Sequence, residues 1–126
     1  MTDNSEESGP PDPRENDELR GQREAETHFL DAYNSKKIPH AWLLCGPKGV
    51  GKATLAHRIA RFILSRPVAD ADSPGLFRDA LQTVDPSSLF TNPNSPVFRR
   101  VATGAHADFL FIERTVDEKN GKLRKE

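Results

Sequence analysis

Ala41-Trp42-Leu43-Leu44-Cys45-Gly46-Pro47-Lys48-Gly49-Val50-Gly51-Lys52-Ala53-Thr54-Leu55 is the stretch on which the reading of the fold turns. Residues 41–45 are apolar without interruption, between Pro39-His40 on one side and Gly46 on the other. A run that short, with no polar face, suits a strand buried on both sides in a parallel sheet. A glycine-rich turn follows over 46–51. Lys52 to Ser65 then sets Leu55, Ile59, Phe62 and Ile63 on one face of a helix. Strand, turn and helix in that order predict an α/β fold with a parallel-sheet core.

Gly46 to Ala53 follows the pattern G-x-x-x-x-G-K-[ST] in its first seven positions and departs at the eighth. Glycines at these positions let consecutive backbone N–H groups turn inward as an anion nest. The following helix presents its positive end to the same point. Lys52 supplies a charge for the outer phosphates, and the hydroxyl expected after it would ligate magnesium. Ala53 has no hydroxyl. Thr54 lies about 100° further round the helix, so it is expected to point elsewhere. The candidate binding residues are therefore Gly46, Pro47, Lys48, Gly49, Val50, Gly51, Lys52, Ala53 and Thr54, with no catalytic residue and no metal ligand assigned. ATP is the implied ligand, weakly held. The expected magnesium site lacks its ligand, which harms hydrolysis more than binding.

Working outward, Ala25, Phe29, Ala32 and Tyr33 recur at helical steps, predicting a helix over 22–36 that ends before Ile38-Pro39. Residues 66–95 hold four prolines and no periodicity, and read as an irregular insertion with a turn of helix near Leu76–Leu81. Ser95-Pro96 is a helix start, Val97, Val101 and Ala102 form its apolar stripe, and Gly104 stops it. A second strand is predicted over 108–113, and a tight turn at Asn120-Gly121. Residues 1–19 carry seven acids against the single base Arg14 and almost nothing apolar. Such a segment cannot offset its ordering entropy and is expected to be a disordered acidic tail. Residues 20–126 then form the N-terminal part of one domain, with too few apolar residues to close a sheet on their own. Cys45 is the only cysteine, which excludes an intramolecular disulfide. No apolar run is long enough for a membrane span, so a cytoplasmic protein without membrane partners is expected.

Several stretches together are similar to one family. Arg20-Gly21-Gln22, Ile38-Pro39-His40-Ala41-Trp42-Leu43-Leu44, the glycine turn, Ala53-Thr54-Leu55-Ala56-His57-Arg58-Ile59-Ala60-Arg61-Phe62, Gly104-Ala105-His106-Ala107-Asp108-Phe109-Leu110 and Asp117-Glu118-Lys119-Asn120-Gly121-Lys122-Leu123-Arg124 resemble the delta-prime-type clamp-loader subunits of bacterial DNA polymerase III, members of the AAA+ P-loop class. The resemblance implies a partial AAA+ domain and a role in loading the sliding clamp onto primed DNA during replication. It implies partnership with the delta and gamma/tau subunits, and a non-hydrolysing scaffold within a polymerase (nucleotidyltransferase) holoenzyme. Many members carry a four-cysteine zinc module after the first P-loop helix; residues 66–106 contain no cysteine, so no zinc is expected. His106-Ala107-Asp108 stands where the family often has His-Pro-Asp. The acidic metal-binding strand, the Ser-Arg-Cys motif and the oligomerisation domain of the family have no counterpart in these residues. The competing reading is an active P-loop ATPase with a non-standard magnesium ligand.

Other residues carry less. Cys45 and Trp42 read as core, and His28, His40, His57 and His106 as satisfied or solvent-facing histidines without metal-ligand spacing. Arg99-Arg100 reads as a solvated helix face. Arg20-Gly21-Gln22 lies, by the resemblance, near the adenine of a bound nucleotide.

Overall fold

Phe62 is fully buried, and the fold is built around it. In the computed structural model, which describes residues 9, 11–66 and 85–114, three helices occur: α1 (Arg23–Asn34), α2 (Lys52–Leu64) and α3 (Pro96–Ala102). Helix α1 buries Phe29 and Leu30, and α2 buries Leu55 and Phe62. The Phe62 ring stands edge-on to Tyr33 at 5.0 Å and to Phe29 at 6.3 Å between centroids. Trp42 closes on Phe29 at 5.4 Å. Offset and edge-on pairs of this kind add about 0.5–1.5 kcal/mol beyond the area they bury.

Helix ends follow local chemistry. Ser95 Oγ accepts from Phe98 N–H at 3.2 Å with Pro96 opening α3, as the sequence predicts. Past the end of α3, Gly104 takes φ +71°, and Ala105 N–H returns to Arg100 O at 2.8 Å. The same closure ends α1, where Lys37 N–H donates to Ala32 O, yet the left-handed position is held by Lys36 at φ +56° instead of a glycine.

The parallel-sheet α/β core is not formed: no strand or sheet occurs among the described residues. The predicted strand 41–45 is covered on one side only. Trp42 and Leu44 pack on the core, whereas Leu43 is 88% exposed and Cys45, read as a core residue, is exposed. The predicted strand 108–113 leaves Leu110 and Ile112 each 81% exposed. An apolar run becomes a two-sided buried strand only where a neighbouring backbone completes its ladder and a second layer covers its outer face. Among the described residues no backbone hydrogen bond joins 41–45 or 110–113 to another segment, and the helices cover one side.

Two segments carry more structure than composition implies. Leu89, inside the aperiodic 66–95 stretch, is 1% exposed and joins the core of Phe29, Leu30, Leu55 and Phe62. Residues 11–19, placed by composition in a disordered tail, run along α2 and deliver Leu19 to the core edge. The predicted helical turn at 76–81 and the turn at 120–121 lie outside the described residues, as do residues 1–8 and 10.

Candidate functional site

The glycine turn is seated between Leu44, which packs on the core, and the first residue of α2. Val50 N–H donates to Pro47 O at 3.4 Å, and Gly49 and Gly51 take φ +83° and +102°. Side chains rarely adopt such φ values, so the path of this loop depends on glycine there. Gly51 is the residue that caps α2, and Leu55 N–H returns to its carbonyl at 2.9 Å.

The three helices treat their positive ends differently. Helix α1 has Glu24 and Glu26 in its first turn, and α3 has the Ser95 hydroxyl. Helix α2 has neither an acidic residue in its first turn nor a capping side chain. Its first amides and its dipole are therefore left without a counter-charge from the protein at the spot where the glycine turn meets it. Lys52 adds a cation in that turn. Its ammonium folds back over the loop and donates to Gly46 O at 2.6 Å and Pro47 O at 2.7 Å. An anion entering here would compete with those carbonyls for the lysine.

Ala53 is exposed, whereas Thr54 is only 7% exposed. The two successive positions thus face different surroundings, as the helical rotation requires. His57 Nδ1 lies 2.8 Å from Ala53 O; since a carbonyl only accepts, Nδ1 carries the proton. The His57 ring is 3% exposed beside Phe109 and Phe111, and its Nε2 is buried without a partner among the described residues. This histidine is buried, with one ring nitrogen bonded and the other without a partner among the described residues, which its sequence context did not indicate.

An open cleft of about 850 Å³ lies over the loop, with Lys48 to Thr54 on one side and Pro11, Pro13, Asn16, Glu18, Leu19 and Arg20 on the other. The second side is held by α2. Arg61 Nη1 donates to Arg14 O at 2.9 Å and Nη2 to Asn16 O at 2.8 Å. Arg58 Nη1 donates to Asp17 O, and its Nε to Glu26 Oε1 at 2.8 Å. The Arg61 guanidinium also stacks on Phe98 at 4.3 Å. Burial lowers its pKa from the usual arginine range to about 10; Arg58 adds to the shift and Asp17 opposes it. It remains a cation at neutral pH. At the far end Arg14 pairs with Glu113 at 3.2 Å and lies over Phe111. Gln22 Nε2 ties the start of α1 to Val50 O at 3.1 Å.

The geometry therefore brings Lys48 to Thr54 together around one cleft, with Gly46 and Pro47 beneath the lysine. Sequence reasoning missed Arg58 and Arg61. Their signal was present: they stand at helical steps from Leu55 and Phe62, on the buried face. Arg99 and Arg100 are exposed, as a solvated face requires. Among the described residues no helix is long and apolar enough to cross a membrane. Set against known proteins, the chain matches no family model, no curated protein and no solved structure.

Proposed function

We propose that this chain binds the phosphates of a nucleotide at residues 46–54 without hydrolysing it, and that it serves in the cytoplasm as a scaffold subunit of a DNA polymerase III-type clamp loader. The observation that carries the first part is the start of α2: an uncapped helix end, glycines at positive φ and Lys52 all meet at one open cleft. Backbone amides, dipole and ammonium there act on an anion together. Ala53 supports the absence of turnover, because the position that would hold magnesium offers only a methyl group. The clamp-loader role rests on the sequence resemblance alone. Its partners would be the delta and gamma/tau subunits, with the sliding clamp and primed DNA reached through the assembly.

Two measurements on the full-length protein test this reading. Affinity purification from its source cells is expected to recover P-loop ATPase subunits and a ring-shaped clamp. Recovery of the chain alone would remove the replication role. Purified protein is expected to show no ATP turnover above background; turnover abolished by Lys52→Ala would remove the scaffold reading and favour an active ATPase.

A further inference from the structure

Three carbonyls within four residues, those of Arg14, Asn16 and Asp17, are held by two guanidiniums that project from α2. Arg61 is 1% exposed and Arg58 8% exposed. Burying a guanidinium is costly unless its donors are met, and the strap 14–19 meets them. Arg58 has one carboxylate partner in Glu26, but both hydrogen bonds of Arg61 go to the strap. Backbone carbonyls as acceptors fix the path of the strap whatever its side chains, which leaves those side chains available to the cleft.

The strap is also seated on the phosphate loop. A Cβ built on Gly51 would meet Leu19 Cδ1 at 2.8 Å, so Leu19 occupies the space that glycine leaves open at the mouth of α2. Pro13, Asn16 and Leu19, with the paired charges of Glu18 and Arg20 beside them, thereby form a mixed apolar and polar wall facing Lys48 to Thr54 across the cleft. Phosphates are met by the loop; whatever the ligand carries beyond them meets the wall.

We propose that Arg58 and Arg61 are positioning residues for this cleft: by clamping the backbone of 14–17 they hold the strap as its second wall, and so set the affinity for the nucleoside part of a nucleotide while leaving phosphate binding to the loop. This rests on the phosphate-loop reading above. The two guanidiniums touch no ligand and act only through the strap.

The test compares ATP with inorganic tripolyphosphate, binding to the full chain being followed by calorimetry. Wild type is expected to bind both. Arg61→Lys and Arg58→Ala are expected to weaken ATP by about tenfold or more, with tripolyphosphate held within about twofold. Trypsin cleavage after Arg14 and Arg20 is expected to quicken in both variants. Parallel loss of both ligands would show a structural role only and overturn the proposal, as would unchanged ATP binding with faster cleavage. Should the arginine variants fail to fold, the pair Pro11→Gly and Pro13→Gly alters the wall while leaving the guanidiniums in place. It is expected to show the same selective loss, and unchanged ATP affinity there would also overturn the proposal. A wild type that binds neither ligand would instead remove the phosphate-loop reading itself.

Discussion

Gly51→Ala is the substitution on which the loop geometry makes its sharpest demand. At φ +102° a side chain is strained, at a cost of about 1–3 kcal/mol. The new Cβ would also stand 2.8 Å from Leu19 Cδ1. That atom is the end of a flexible side chain, so Leu19 rotates away and the loop backbone stays in place. Leu19 then loses part of its packing. Full burial of a leucine is worth about 1.5–3 kcal/mol, and half-buried Leu19 forfeits a fraction of it, about 1 kcal/mol. The expected destabilisation is about 2–4 kcal/mol. Gly104→Ala is the control: φ is +71°, but nothing lies within 4 Å of the added Cβ, so only backbone strain of about 1–2 kcal/mol applies. Urea denaturation of both variants measures the difference. Repeating Gly51→Ala in a Leu19→Ala background isolates the contact, and the penalty is expected to fall by about 1 kcal/mol. Equal penalties for the two glycines, together with no coupling to Leu19, would refute the seating of the strap on the loop.

Further expectations follow from other positions. Phe62→Ala empties the centre of the core and is expected to cost about 3–5 kcal/mol in chemical denaturation. Lys36→Gly relieves a left-handed lysine at the end of α1 and is expected to stabilise the fold by about 0.5–1 kcal/mol, seen as a raised melting temperature. Ser95→Ala removes the hydroxyl that caps α3 and is expected to cost about 1 kcal/mol by the same assay. Arg61 keeps its proton throughout the neutral range, because its lowered pKa of about 10 still lies well above it. As pH rises through about 10 the folded form would shed the buried charge before the unfolded form does, so this group's burden on stability eases only in strong alkali. Trypsin cleavage within the strap should therefore run parallel to cleavage of an unstructured control peptide from about pH 6 to about pH 8.

The helices were legible because their evidence is local. Apolar residues at helical steps mark α1 and α2, and Ser95-Pro96 and Gly104 mark the two ends of α3 through short-range hydrogen bonds. The sheet was misread because a continuous apolar run reports only what a segment is able to bury. Leu43, Leu110 and Ile112 have the composition of buried strand residues, but neither ladder nor covering layer meets them among the described residues. Leu89 was missed for the opposite reason: it sits in a stretch without periodicity, and its burial is decided by distant partners, whereas Phe98, one helical step before Val101, was passed over in favour of its neighbour Val97. The candidate loop was readable from its glycines and Lys52, whereas its second wall was not. That wall is an acidic, proline-containing segment whose order depends on two arginines more than forty residues away in sequence, Arg58 and Arg61. Composition counts the charges of such a segment and is blind to its carbonyls.

The most direct test is titration of ATP into the full chain and into Lys52→Ala, with magnesium and with a chelator. A lysine about 4 Å from a phosphate gains about 4 kcal/mol at an effective dielectric of 20. Giving up its contacts to Gly46 O and Pro47 O offsets part of that gain, as does solvent screening at a half-exposed site. Wild type is expected to bind ATP about equally with and without magnesium, and Lys52→Ala to bind at least about tenfold more weakly. Equal affinity in the two proteins would contradict a phosphate site at residues 46–54, and a strict magnesium requirement would contradict the reading of Ala53 as a lost metal position.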